Sequence, residues 1–323
     1  MKKIIWGVIL IGLIFFIGKG WWNSQFDAVS SDKTEIAFVV DKGAGISQIA
    51  DDLKKANLIR STFFFKLYTK QQDLDAKIQP GTFKLTPAMS VATIATTLTN
   101  QPLDNWVTLL EGWRVEEMAD KLNQVLGTDK KAFIAASKEG YMFPDTYLFP
   151  KEYSVKQIAD RMRANFDVKY SDGLKAKVRA LGLTESQGVI LASLVEREAR
   201  SDEVRTKVAG IILKRFKMGM KLDIDATVQY AKDTQTLKSG KKPDKFWLPI
   251  TRENYTDIIS SYNTYINNGF PPTPIANPSL SSLEAAANAD PSTPYLYYYH
   301  DSQGNSYYAK TLEEHNQNVA NHP

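Results

Sequence analysis

Apolar residues recur along this chain at distinct spacings, and each spacing predicts an element. The first apolar stretch has no periodicity. From Ile4 through Gly18 the chain carries no charge, with Lys2 and Lys3 before the run and Lys19, Trp21 and Trp22 after it. Counted through the tryptophans, the run reaches the roughly 17–25 residues that a membrane-spanning helix needs. It predicts a transmembrane helix within residues 1–22, with Lys2 and Lys3 on the cytoplasmic side and the tryptophans at the interfaces. No small-residue cleavage site follows the run, and the bulky Trp21-Trp22 pair stands where one would be, so the run reads as an uncleaved anchor rather than a signal peptide. The polar residues 23–34 read as a linker.

Regular spacings begin at residue 36. Ile36 to Val40 reads as a strand, and Ile46, Ile49, Ala50 and Leu53 then follow at i, i+3, i+4 and i+7, the helical spacing. Ser61 and Thr62 can cap a second helix, and Thr82 to Leu85 reads as a second strand. One strand–turn–helix template occurs three times, over residues 38–53, 83–98 and 107–122. The helical positions stay in register: Ile46, Ile49, Ala50, Leu53; Val91, Ile94, Ala95, Leu98; Val115, Met118, Ala119, Leu122. Three copies at one spacing point to a shared small α/β building block. The strand–helix–helix–strand order over residues 36–85 resembles a LysM module, a binder of N-acetylglucosamine-containing glycans. A spacer of the same order is the alternative. This domain is assigned to residues 35–103.

Residues 104–323 read as one larger mixed α/β domain. Residues 139–150 are aromatic and punctuated by Pro144 and Pro150, which predicts irregular structure. Residues 155–166 read as a helix, as do the segments capped by Thr184 and Ser201 and the segment opening at Asp225. Residues 270–278 are too rich in proline for a helix or a central strand. Residues 280–289 read as a helix, 295–299 and 306–308 as a hairpin, and Thr311-Leu312-Glu313-Glu314 as the capping box of a last helix.

The segment after Thr184 carries candidate chemistry. Thr184 and Gln187 form a capping box. On a helical wheel Ile190, Leu191, Leu194 and Val195 make one face, with Glu198 near its centre and Glu196 nearly opposite. A carboxyl on an apolar face is costly when charged, so its pKa rises and it can serve as a general acid near neutral pH. The alternative is a helix end at which Glu198 reaches water or pairs with Arg197, Arg200 or Arg205.

Composition narrows the chemistry. The 323 residues include no cysteine and three histidines, so there is no thiolate metal site or disulfide, and no HExxH pattern occurs. No metal or cofactor is expected. A net charge of +4 is too mild to suggest nucleic acid. Aromatic side chains beside amides and hydroxyls suit a sugar, which has an apolar face and a polar edge. Phe143 to Tyr147 and Tyr262-Asn263-Thr264-Tyr265 have that composition.

Taken together, these segments resemble the MltG family of YceG-like endolytic murein transglycosylases. The resemblance rests on Glu111-Gly112, Phe143-Pro144-Asp145-Thr146-Tyr147, Ala192 to Glu198, Asp225-Ala226-Thr227-Val228, Tyr262-Asn263-Thr264-Tyr265, Gly269-Phe270-Pro271-Pro272, Pro294-Tyr295-Leu296-Tyr297 and His315-Asn316. It implies Glu198 as the catalytic acid, with Glu196 and Asn263 supporting it. Expected at the substrate are Phe143, Asp145, Tyr147, Asp225, Tyr262, Thr264 and Tyr265. It also implies cleavage of the β-1,4 bond between N-acetylmuramic acid and N-acetylglucosamine with formation of a 1,6-anhydro end. The alternatives are a lysozyme-type hydrolase, in which Asp145, Asp225 or Glu196 activates water, and a non-catalytic glycan-binding scaffold. Expected partners are glycan strands, the cytoplasmic membrane and the peptidoglycan synthases, the penicillin-binding proteins among them. The whole chain reads as α+β: an N-terminal transmembrane helix, a small LysM-like βααβ domain and a larger mixed α/β catalytic domain outside the cytoplasm.

Overall fold

A computed structural model describes residues 16–100, 102–151 and 153–322. Most of the N-terminal apolar run, residues 1–15, lies outside the described residues. Among the described residues no helix is long and apolar enough to cross a membrane. The architecture is α+β, and the strands among the described residues form three two-stranded sheets. Two compact units divide the chain. One takes the chain up to Val107 and its return from Tyr147 to Glu152. The other takes Thr108–Thr146 and the chain from Tyr153 on.

In the first unit β1 (Ile36–Val40) pairs antiparallel with β2 (Gly81–Leu85), with Phe38 opposite Phe83. The period-two alternation of β1 turns Phe38 and Val40 inward. Helices Ile46–Lys55 and Thr62–Gln71 connect the strands, and helix Val91–Thr99 follows β2. Ile49, Ala50 and Leu53 of one helix and Ile94, Ala95 and Leu98 of another are buried in the shared core. The helical spacing read from the sequence is thus the packed face. The polar stretch expected as a linker is strapped down. The Phe26 ring lies 5.3 Å from Phe64, and the Arg60 guanidinium donates to the carbonyls of Ala28 and Val29 at 2.7 and 3.0 Å. One aromatic residue in a polar segment is enough to dock it when an apolar ring is within reach.

The segment expected to be irregular holds a strand. β4 (Thr146–Pro150) pairs with β3 (Asp104–Thr108). Tyr147 and Phe149 point inward, and Pro150 falls at the strand's end, where it breaks no ladder.

In the second unit the helix Glu185–Glu198 is central. Residues 188–195 are all buried, because helices Asp172–Ala180, Asp202–Lys217, Asp225–Lys238 and Leu280–Ala287 pack around it. The wheel's division into an apolar face and an opposite side does not survive here, since Val189, Ala192 and Ser193 are as buried as Leu191 and Leu194. A β-carbon at Gly188 would lie 2.7 Å from the Tyr170 hydroxyl and from Val178, so glycine permits the close approach of the Asp172–Ala180 helix. The capping box forms, with Gln187 N–H donating to Thr184 Oγ1 at 3.2 Å and Thr184 N–H to Gln187 Oε1 at 2.9 Å. At the C-terminal end β5 (Tyr297–His300) and β6 (Ser306–Ala309) form the expected hairpin, against which the helix Leu312–Asn321 packs. The short helices Lys130–Ala136 and Asp172–Ala180, capped by Asp129 and Ser171, carry too few apolar residues for spacing alone to single them out.

Candidate active site

Glu198 is the last residue of the central helix, and Ala199 after it is already extended. That end is where two other elements converge. From β5, the Tyr298 hydroxyl donates to Glu198 Oε2 at 2.9 Å. From the first turn of Asp225–Lys238, the Ala226 backbone N–H bonds to the same carboxyl, and the Asp225 carboxylate adds a negative field. Burial pushes the Glu198 carboxyl up to about 7. Asp225 works in the same direction, while the Tyr298 hydroxyl, Arg197 and the Ala226 N–H oppose it. Glu198 therefore exchanges its proton near neutral pH, as an acid–base group requires.

Asp225 is oriented in turn. The Tyr265 hydroxyl donates to its Oδ1 at 2.6 Å, and Tyr255 stacks on Tyr265 with ring centroids 4.1 Å apart. Beside Glu198, the Arg197 guanidinium lies 3.9 Å over the Trp247 ring and donates to the Gly112 carbonyl at 3.3 Å. Gly112 has φ +71°, and a β-carbon there would meet Arg197 Nη1 at 3.2 Å, so glycine suits both the backbone and the contact.

Two hollows meet at Glu198. One, of about 580 Å³, is lined by Arg215, Asp225, Gln229, Tyr265, Tyr297 to His300 and His315. The other, of about 570 Å³, is lined by Arg200, Ser201, Val204, Asp301, Ser302 and Ser306. Arg197, Glu198 and His300 belong to both.

Of the residues singled out from the sequence, the structure brings Glu198, Asp225 and Tyr265 together. Glu196 lines the second hollow, and the others stand elsewhere. Glu196 Oε2 accepts from the Ser279 N–H at 2.8 Å and the Ser279 hydroxyl at 2.5 Å, and Arg205 lies 3.5 Å from Oε1. Asn263 is buried beneath the site, donating to the carbonyls of Tyr255 and Ile258 and accepting from the Tyr265 N–H. Thr264 accepts from the Ile224 N–H at 3.0 Å, just before the Asp225 helix. Tyr262 bonds Thr273 at 2.7 Å and packs on Tyr230. None of these four lines the hollow that holds Asp225 and Tyr265. Phe143 is buried, and Asp145 accepts from Asn165 at 3.0 Å beside a separate hollow with Leu109 to Glu111. Tyr147 belongs to the first unit, stacked on Phe149. Sequence reasoning missed Tyr298 and His300 and assigned no site role to Arg197 or His315, although both lie in segments that carry the resemblance. The run Tyr297-Tyr298-Tyr299-His300 is unusual enough to notice, but nothing in it points to a carboxyl 100 residues earlier.

One neutral-range carboxyl between two polar hollows, one of them rich in tyrosine, is the arrangement of an acid–base site for an extended, hydroxyl-rich ligand. Comparison with known proteins sharpens that class. The profile of the YceG-like family matches residues 38–321, and the chain belongs to that family. A Bacillus subtilis (strain 168) protein named endolytic murein transglycosylase is 31% identical over 343 residues, covering 95% of this chain and 89% of its own length. A Streptococcus pneumoniae (serotype 2, strain D39) protein of the same name is 26% identical over 336 residues, and the match covers 91% of this chain and 59% of that longer relative. A crystal structure of a YceG-like protein from Listeria monocytogenes aligns with a TM-score of 0.59 at 25% identity, over 88% of this chain and 99% of that one.

Proposed function

We infer that this protein is an endolytic murein transglycosylase in which Glu198 supplies both acid and base. The observation that carries this reading is the Glu198 carboxyl, raised to about 7, at the junction of two hollows. A site open on both sides suits a bond inside a strand rather than at its end. In the first half of the cycle Glu198 gives its proton to the glycosidic oxygen as the bond to the anomeric carbon breaks. In the second half its carboxylate takes the proton of the muramoyl 6-hydroxyl, whose oxygen bonds to that carbon. The products are a free 4-hydroxyl and a 1,6-anhydro end, and no water is consumed. One carboxyl then suffices where ordinary glycosidases use two. The Tyr298 hydroxyl and the Ala226 N–H hold the carboxylate between the two proton transfers.

Asp225 favours a second reading. A carboxylate close enough to raise Glu198 can activate a water, as in a hydrolase. Product analysis of purified glycan strands separates the two: anhydro-muramic ends mean transglycosylation, reducing muramic ends mean hydrolysis. Glu198→Gln is expected to lose about 10²–10⁴-fold or more of anhydro-end formation. An active Glu198→Gln enzyme would remove Glu198 from the chemistry.

The apolar run at residues 4–18 supports a single-pass anchor in the cytoplasmic membrane, N-terminus inside and both units outside. There the enzyme would meet nascent strands and the synthases that make them. The βααβ order of the first unit and its hollow of about 470 Å³, lined by Gln79, Asn100, Asn105 and Trp106, support a LysM-like glycan-binding role.

A further inference from the structure

The first unit carries an aromatic patch that the chemistry above does not use. Residues 16–24 are helical, and their Trp21 and Trp22 meet Phe64 edge-on, with centroids 5.9 and 4.8 Å apart. Phe63, in the first turn of Thr62–Gln71, extends the cluster at 5.3 Å. Phe16, Trp21 and Phe63 nevertheless stay 77%, 59% and 58% exposed. Contiguous exposed aromatics mark an interaction surface.

Two features of the chain say what covers it. The patch directly continues the apolar run of residues 4–18, with Lys19 at the join. On the Thr62–Gln71 helix, Lys66 and Lys70 follow Phe63 by three and seven residues and so share its face. Among the described residues neither lysine is in an ion pair, and the nearest acids in sequence, Asp73 and Asp75, come after the helix. Aromatic rings tipped by a row of lysines match the headgroup layer of an anionic bilayer. The rings settle among the headgroups, and the ammonium groups reach lipid phosphates.

We propose that this patch seats the first unit on the membrane surface, with Trp21, Trp22 and Phe63 in the headgroup layer and Lys66 and Lys70 on anionic lipid. The proposal rests on the anchor reading above and adds to it. The packing of Trp22 and Phe26 on Phe64 joins the end of the anchor to the folded unit, so that the unit lies on the bilayer instead of swinging from a tether.

The chain contains no cysteine, so a single Phe63→Cys site in the full-length protein can carry an environment-sensitive fluorophore. Phe63 is exposed, so the change spares the core. The labelled protein is reconstituted into vesicles of phosphatidylethanolamine and phosphatidylglycerol containing a shallow lipid-borne quencher. The expected result is quenching by that lipid, shielding from aqueous iodide, and loss of both effects in the Lys66→Glu/Lys70→Glu variant. Washing the vesicles with carbonate distinguishes the two ways of failing. Removal of the protein by the wash overturns the anchor reading and the seat with it. A protein that resists the wash but leaves the label open to iodide overturns the seat alone. Quenching that survives the double charge reversal overturns the assignment of anionic lipid to the lysines.

Discussion

Burial and hydrogen bonding pull in opposite directions on Glu198, and for a Glu198 acting as the proposed acid the balance sets the pH range of activity. The Tyr298 hydroxyl donates to the carboxylate at 2.9 Å and so favours the charged form. Tyr298→Phe removes that bond, and the Glu198 pKa should climb further above about 7. Catalysis starts from the protonated acid, so the alkaline fall in kcat/KM should move to higher pH. A shift to lower pH would mean that the tyrosine stabilises the protonated carboxyl instead. The same group affects stability. Folding raises it from about 4.5 to about 7, so the folded state holds more protons between those values. Its contribution is fully present below about 4.5 and is lost as pH rises through 7. A glutamine carries no such loss. Glu198→Gln should therefore be more stable than the parent at pH 8, by on the order of 2 kcal/mol, with the gap closing near pH 4. Equal melting temperatures at pH 8 would place the carboxyl in better contact with water than the structure does.

Among the elements, the Leu280–Ala287 helix depends on a residue two before the acid. Glu196 holds the Ser279 N–H and hydroxyl, and Ser279 caps that helix by accepting from the Ser282 N–H. The Glu196 side chain is only 5% exposed. Glu196→Ala leaves the Ser279 N–H without its acceptor and Arg205 with Asp202 alone, which should cost about 2–4 kcal/mol. Glu196→Gln keeps one acceptor oxygen, should cost less, and should retain anhydro-end formation per folded molecule. Urea melts and product analysis on the same samples check this. A Glu196→Gln enzyme that folds normally and makes no product would move Glu196 from support into the chemistry.

For the molecule as a whole, the role proposed for the first unit is glycan binding. Its hollow offers three side-chain amides and an indole. Asn100→Ala/Asn105→Ala, placed in the full-length Glu198→Gln background, should reduce retention on insoluble peptidoglycan several-fold. Unchanged retention would make the unit a spacer.

The sequence by itself determined the features that arise within one segment. Helical spacing placed Ile49, Ala50 and Leu53, and likewise Val115, Met118, Ala119 and Leu122, on buried faces. The Thr184 capping box marked where the central helix starts, and the Tyr-rich run marked a hairpin. It also singled out Glu198, although by a wheel with one apolar face, whereas the helix is enclosed on every side. Only the tertiary structure decided what surrounds that carboxyl. Tyr298, Ala226 and Asp225 reach it from elements far apart in sequence, and Glu196, Asn263 and Thr264 turned out to hold the backbone around the site. A local pattern records which side chains share a face of one element. Which elements converge on a given atom depends on long-range packing, and no spacing along the chain encodes that.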